Sequence, residues 1–327
     1  MAAGRSGVLL GWRRLTEASL RGAPGERPLC LWLRANFSAL RSPLSALRSP
    51  LSLPLAPLRI ALRALVALQP ALPEPSQAAV RRAVGLRLMP DERAVEQTID
   101  VLRAALAASP DTVAVVDYGA GTRGGERPPV RRVADIYASA ASGPAWGRVL
   151  FGLARGVRPR RVLELGTNLG LSAAHLAAAL ALTEDEGGPS GRLVTLEGAP
   201  ALAARAAEHL GGLGHAVGPE GRAEVVVGPF AETLAPTAER AGPFDLVFVD
   251  GHHEASAARA YVHAVRPHLA PGGMVVLDDV EPGRAVWRAW RRLRAEHPDW
   301  PALHLGKWGL LVPTPARGAE SIVARPT

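Results

Sequence analysis

Cysteine is almost missing from this chain: Cys30 is the single example in 327 residues. That excludes an internal disulfide framework and a thiolate-built zinc site, and it points to a reducing, cytoplasmic compartment. Lysine is equally scarce, with Lys307 alone among 38 basic residues, a bias that reads as a codon-composition effect more than selection at each position. No run reaches the roughly 18 uncharged apolar residues of a membrane span. The Gly-x-x-x-x-Gly-Lys-Ser/Thr loop of phosphate binders is also absent. Acid is nearly missing from residues 1–70, where ten arginines face only Glu17 and Glu26. The whole net charge of +8 therefore sits in that segment, and residues 71–327 carry 28 basic and 28 acidic groups. A neutral body argues against nucleic acid as a partner, because nucleic-acid binders place a basic face beside the site.

Residues 1–75 read as a separate, poorly ordered segment rich in Arg, Ser, Pro and Leu. The hexad Leu40-Arg-Ser-Pro-Leu-Ser recurs at Leu47, and Pro43, Pro50, Pro54 and Pro57 interrupt any long element. Its composition is shared with organelle transit segments, and residues 40–70 could also touch a membrane surface, since Arg59 and Arg63 stand one turn apart beside leucines. Beyond it, a content of 48% hydrophobic residues is enough to bury a full core.

From about Pro90 the pattern becomes regular. Helical spacing covers 91–108, a β-branched run covers 113–116, and residues 132–153 read as helices broken at Gly143-Pro144. Strands at 161–167, 192–197, 223–227, 244–250 and 273–278 then alternate with helices at 171–182, 200–210, 230–240, 254–269 and 284–297. Two last strands, 302–305 and 310–313, are joined by Gly306-Lys307-Trp308-Gly309. Alternation predicts an α/β fold with a parallel sheet and helices on both faces. So short a final connection allows only a hairpin, which makes one strand antiparallel. The organisation expected is a helical extension over 76–157 on the substrate side, a cofactor-binding core over 158–315, and a tail over 316–327.

The chemistry begins at Glu164-Leu-Gly166-Thr167-Asn168-Leu-Gly170, where an apolar strand turns through glycines into a helix. Glycine lets backbone approach a ligand closely, and the helix aims unpaired N–H groups at it. A second turn, Asp117–Gly121, matches an acidic, glycine-spaced pattern even better, yet Gly124, Gly125, Pro128 and Pro129 leave it no following helix. Glu197-Gly198, at the end of the next strand, suits a carboxylate that accepts hydrogen bonds from ribose hydroxyls, with a helix-capping role before Pro200 as the plainer alternative. Phe230 could cover an adenine ring or simply pack in the core. The 244–250 strand delivers Asp250, His252 and His253, and the next delivers Asp278 and Asp279, to the strand ends where ligands bind in open α/β sheets. Such a cluster of carboxylates and imidazoles is suited to Mg²⁺, Mn²⁺ or Ca²⁺; a helix cap before Pro282 is the alternative for the second pair.

The 161–170 segment resembles the first motif of class I S-adenosylmethionine-dependent methyltransferases. The five parallel units closed by a hairpin resemble that family's seven-stranded Rossmann-like sheet. Within it, Asp250 and Asp278 match the metal-holding aspartates of catechol-type O-methyltransferases, Asp279 stands in place of that branch's Asn, and His253 stands in place of its lysine base. Residues 91–313 also look like an uncharacterised bacterial group sharing the Asp117–Gly121 turn and the Asp278–Trp290 stretch. The resemblance implies S-adenosyl-L-methionine as cofactor, bound by Glu164, Gly166, Thr167, Asn168, Gly170, Glu197, Gly198, Phe230 and Asp250. It implies His253 and Asp250 as catalytic, and Mg²⁺ or another divalent cation on Asp250, Asp278 and Asp279. The acceptor expected is a small-molecule hydroxyl. A nicotinamide-dependent oxidoreductase, a non-catalytic Rossmann-like binding module and a homodimer all stay open.

Overall fold

The computed structural model describes residues 72–85, 88–116 and 130–313. Of the basic segment 1–75 only residues 72–75 are described, and there Glu74 and Pro75 already open a helix; the Asp117–Gly121 turn and the tail over 316–327 lie outside the described residues. The chain enters through α1 (Glu74–Gly85) and α2 (Pro90–Ala108), then β1 (Thr112–Ala114), β2 (Val130–Arg132), α3 (Val133–Ala140) and α4 (Pro144–Val157). The core follows as β3 (Arg161–Leu165), α5 (Leu171–Asp185), β4 (Arg192–Glu197), α6 (Pro200–Gly212), β5 (Ala223–Val227), α7 (Phe230–Ala241), β6 (Phe244–Val249) and α8 (Ala255–Val265). It closes with β7 (Leu269–Leu277), α9 (Ala285–Glu296), β8 (Ala302–Leu305) and β9 (Trp308–Leu311).

The large sheet has seven strands in the order β5-β4-β3-β6-β7-β9-β8. β9 runs antiparallel to both β7 and β8, and the other pairings are parallel. The hairpin turn is shorter than its sequence suggests. Trp308 and Gly309 already pair with Leu305 and His304, leaving Gly306 and Lys307 as the connection. A Cβ on Gly309 would meet the Trp290 ring at 2.4 Å, so this strand has to be glycine where α9 crosses it.

Order reversal between β3 and β6 opens the crevice in which ligands of such sheets sit. β3 is the middle of that crevice, and α5 follows it directly. This helix is buried on nearly every side, Leu171 through Thr183 apart from Ser172. A helix apolar all round needs cover on its outer face as well as the sheet on its inner one. α4 and α2 provide that cover. Arg155 ties the three together: its Nε donates to Glu92 on α2 at 3.1 Å and its Nη1 to the Thr183 hydroxyl on α5 at 2.7 Å. α1, which no sequence pattern had singled out, packs on α4 through small residues. A Cβ at Gly156 would lie 2.5 Å from the Ala79 Cα, and one at Gly152 would lie 2.8 Å from the Ala83 Cα. β1 and β2 form a separate two-stranded antiparallel sheet; residue 132, assigned to a helix from sequence, belongs to β2.

Trp308 anchors the hairpin under the crevice, buried to 1% exposure, with its ring 4.8 Å from Trp146 and 5.7 Å from Phe248. Replacing it by alanine removes a large fully buried ring and leaves a cavity, so Trp308→Ala should lower stability by about 3–5 kcal/mol. Urea unfolding of variant and wild type measures this, and a loss below about 1 kcal/mol would show that the hairpin is not packed as described.

Candidate active site

The turn after β3 is shaped by what surrounds it. Gly166 has φ 104°, and a Cβ there would lie 2.2 Å from the Asp250 carbonyl oxygen, so no side chain fits. Asn168 has φ 50°, in the left-handed region that asparagine tolerates better than most residues, which accounts for its presence where glycine is commoner. Gly170, at φ 82°, caps α5. The Gly166 and Thr167 N–H groups donate to the Leu196 carbonyl at 3.0 and 3.2 Å. The Asn168 N–H donates to Glu197 Oε2 at 2.7 Å, and Glu197 Oε1 accepts from the Ala199 N–H at 2.9 Å. Glu197 thus clamps the turn to the end of β4 and caps α6, with lone pairs left on both oxygens. Burial pushes its pKa up, partly offset by the N–H groups of Ala199, Asn168 and Gly198.

Glu164 lies beneath the turn and, like Glu197, Gly198 and Phe230, is not among the residues that line the cavity in front of it. It is fully buried, accepts from the Thr195 hydroxyl at 2.6 Å, and leaves Oε1 without a hydrogen-bond partner. Burial drives its pKa up to about 7 against the pull of the Ser172 and Thr195 hydroxyls, with the Glu197 charge adding to the rise. Phe230 likewise sits to one side. Its ring packs on Gly251, where a Cβ would lie 2.8 Å away, and stands edge-on to Tyr261 at 5.6 Å.

In front of the turn is a cavity of about 390 Å³. One wall is Gly166, Thr167, Asn168 and Ser172; opposite are Asp250 and His253 after β6 and Asp278 and Asp279 after β7. Asp250 is held in place by its own N–H, which donates to the Leu165 carbonyl at 2.9 Å, and Asp278 by the matching bond to Val249 at 3.0 Å. Burial first, then the facing charge of Asp278, pushes the Asp250 carboxyl well above the usual range. His253 stands between the two strand tips, 4.0 Å from Asp250 Oδ1 through Nε2 and 3.6 Å from Asp279 Oδ2 through Nδ1. Asp279, itself left-handed at φ 56°, also takes Arg284 Nη1 at 3.3 Å.

The remaining wall comes from residues that the sequence did not flag. Lys307, in the hairpin turn, donates from Nζ to Asp278 Oδ2 at 2.7 Å and to the Ser142 hydroxyl at 3.1 Å. It lies 5.8 Å from the centroid of the Trp146 ring. Arg103 on α2, 5% exposed, gives Nη1 to the Ser142 carbonyl at 2.8 Å and lines the same cavity. The signal for Lys307 was present but discounted as composition: a chain that otherwise uses arginine throughout keeps its one lysine here.

The structure does not gather the three carboxylates as a divalent cation needs. Among the described residues, three ligand atoms lie within 4.8 Å of one another at His263, Glu296 and His297, at the far end of α8, and not at Asp250, Asp278 and Asp279. Lys307 already occupies Asp278 Oδ2, and Arg284 and His253 flank Asp279. As they stand, Asp250, Asp278 and Asp279 are not a ready-made three-ligand set, although Asp278 Oδ1 is buried without a partner.

Residues 163–280, which span the turn, Glu197 and both pairs of strand-tip residues, match the model of a family described as a methyltransferase domain. The chain carries a methyltransferase domain. The chain is 39% identical over 140 residues to a catechol O-methyltransferase of Mycobacterium tuberculosis (strain ATCC 25618 / H37Rv), covering 43% of this chain and 57% of that one. It is 34% identical over 127 residues to the O-methyltransferase ankF of Aspergillus thermomutatus, covering 39% of this chain and 48% of that one. The chain thus spans about half the length of these curated relatives. Among solved structures it is similar to the O-methyltransferase TomG from Streptomyces achromogenes, crystallised with SAM, at 30% identity and TM-score 0.44 over 54% of this chain and 82% of that one. No helix among the described residues is long and apolar enough to cross a membrane.

Glu164 makes the methyltransferase domain pH-sensitive in a defined direction. Its folded pKa of about 7 lies above the ordinary 4.5, so its contribution to stability is full below the lower value and is lost as pH rises through the upper one. Glu164→Gln removes that loss. The variant should gain on wild type by about 3 kcal/mol between about pH 5 and about pH 8. Urea midpoints at the two pH values test this, and a variant-to-wild-type difference that stays constant with pH rejects it.

Proposed function

We propose that this chain transfers a methyl group from S-adenosyl-L-methionine to a hydroxyl oxygen of a small-molecule acceptor. The observation that carries this reading is the single cavity shared by two sets of groups: the glycine turn with its helix N-terminus on one side, and an imidazole set between the carboxylates of the β6 and β7 tips on the other. A nicotinamide enzyme gives no reason for the second set, and a pure binding module gives none for a partly exposed imidazole between acids.

When bound, S-adenosylmethionine supplies an electrophilic methyl carbon on a positively charged sulfur. The turn residues Gly166–Asn168 and the α5 N-terminus would hold its amino-acid end, and Glu197 its ribose, through the lone pairs left after the Asn168 and Ala199 bonds. His253 would accept the proton of the acceptor hydroxyl, with Asp250 and Asp279 flanking its ring and the Asp279 carboxylate balancing the imidazolium. Holding oxygen, methyl and sulfur in line is most of the rate gain in such a displacement. Arg103 and Trp146 on the N-terminal helices, with Ser142 between two of them, would shape the acceptor side. The catechol and other O-methyltransferase relatives support an oxygen acceptor and leave its identity open.

Calorimetry with S-adenosylhomocysteine against NAD separates the readings, and release of S-adenosylhomocysteine in the presence of a panel of catechols and other small hydroxylated aromatics reports turnover. His253→Ala should lower kcat by about 10²–10⁴ while leaving S-adenosylhomocysteine affinity unchanged. Tight NAD binding without S-adenosylhomocysteine binding, or full activity in His253→Ala, would refute the assignment.

A further inference from the structure

We propose that Lys307 is a built-in cation that takes the place of a divalent metal at the carboxylate tips, and that its ammonium holds the acceptor oxygen during methyl transfer. The proposal rests on the methyltransferase reading and adds to it a charge, a position and a metal independence.

Three independent features of the geometry carry it. The first is position. The Lys307 side chain is 16% exposed and that of Asp278 4%, and Nζ lies 2.7 Å from Asp278 Oδ2, on the carboxylate that a metal would require. A magnesium ion at this carboxylate would have to take the other oxygen, Oδ1, which is buried without a hydrogen-bond partner, at about 2.1 Å. It would then share one carboxylate with an ammonium already there, and two cations a few ångströms apart in a partly dry crevice repel. The second is charge. Each carboxylate of the expected metal set has an organic cation or an imidazole at hand: Asp278 has Lys307, Asp279 has Arg284 at 3.3 Å and His253 at 3.6 Å, and Asp250 has His253 at 4.0 Å. Two fixed cations against three carboxylates, with Arg284 also 3.4 Å from Glu281, reduce without cancelling the negative charge that would attract a dication.

The third is direction. An ammonium has three N–H donors. One goes to Asp278 and one to the Ser142 hydroxyl, and Lys307 lines the cavity, so the third is available to an oxygen held there. The Trp146 ring, 5.8 Å from Nζ, limits where the side chain can swing. Such a fixed cation does in part what a metal does: it favours the ionised form of a nearby hydroxyl and fixes its lone pair toward the methyl carbon. Ser142 comes from the segment between α3 and α4, so this bond also joins the N-terminal helices to the hairpin across the mouth of the site.

The test uses Mn²⁺ as the probe, followed by electron paramagnetic resonance on the purified full chain, with S-adenosylhomocysteine calorimetry alongside. Wild type is expected to show no Mn²⁺ binding at sub-millimolar concentration that Asp278→Asn removes, any ion held by the separate His263, Glu296 and His297 group being unaffected by that change, and its S-adenosylhomocysteine affinity should not change with EDTA. Lys307→Ala and Lys307→Gln, each checked for retained S-adenosylhomocysteine binding, should uncover the carboxylates and acquire Mn²⁺ binding that a further Asp278→Asn change abolishes. Wild-type Mn²⁺ binding that Asp278→Asn removes would overturn the proposal, as would two folded Lys307 variants that both fail to bind the ion. Failure of every form to bind S-adenosylhomocysteine would instead strike the methyltransferase reading, so the two failures are distinguishable.

Discussion

The approach of one strand end to another, with no side chain between them, is the constraint on which the site depends. Gly166 brings the first turn of the domain against the backbone of Asp250, where even a methyl group would stand 2.2 Å from the carbonyl oxygen. The Asp250 N–H donates to the Leu165 carbonyl at the same junction. Because β3 and β6 are neighbours in the sheet, this contact fixes the distance between the groups suited to hold a cofactor and the groups suited to move a proton. Glu197 does the equivalent on the other flank, binding the Asn168 N–H from the end of β4. A turn held from both sides is rigid before any ligand arrives, which suits a site whose main task is alignment.

The helices before the sheet are structural and functional at once. α5 presents apolar surface on its outer face and would expose it to water without α2 and α4. The same helices carry Arg103, Trp146 and Gly147 to the cavity, and Ser142 leads into α4. Stability and the shape of the cavity are therefore coupled, since whatever shifts α4 on α5 also shifts the cavity wall. Arg155, bonded to Glu92 and Thr183, is the polar part of that coupling.

Much of this was legible in order along the chain. The alternation of strands and helices, the antiparallel last strand, and the strand tips carrying Asp250, His253, Asp278 and Asp279 all follow from local periodicity and punctuation. Boundaries differed where packing decided them. β7 starts at Leu269, four residues earlier than Gly273, because Leu269 pairs with Phe244, and the hairpin turn shrinks to Gly306 and Lys307 because Trp308 and Gly309 complete the ladder. The helical extension expected over 76–157 does not give the bounds of α1, because its small residues show their purpose only against Gly152 and Gly156 of α4. Glu164 reads from sequence as a ligand-facing carboxylate, and the fold buries it with its Oε2 bonded to Thr195 of a neighbouring strand.

The sequence by itself determined the sheet, its closing hairpin and the chemistry available at the strand ends, because each of those is written in spacings of two to seven residues. Tertiary structure decided which charges meet. Lys307 lies 29 residues from Asp278 and 165 from Ser142, and the three side chains come together because β9 inserts between β7 and β8 while the N-terminal helices fold over α5. Electrostatic interaction falls off with distance in space and has no period along the chain, so the cation that faces the carboxylate tips could be seen only once the chain was folded.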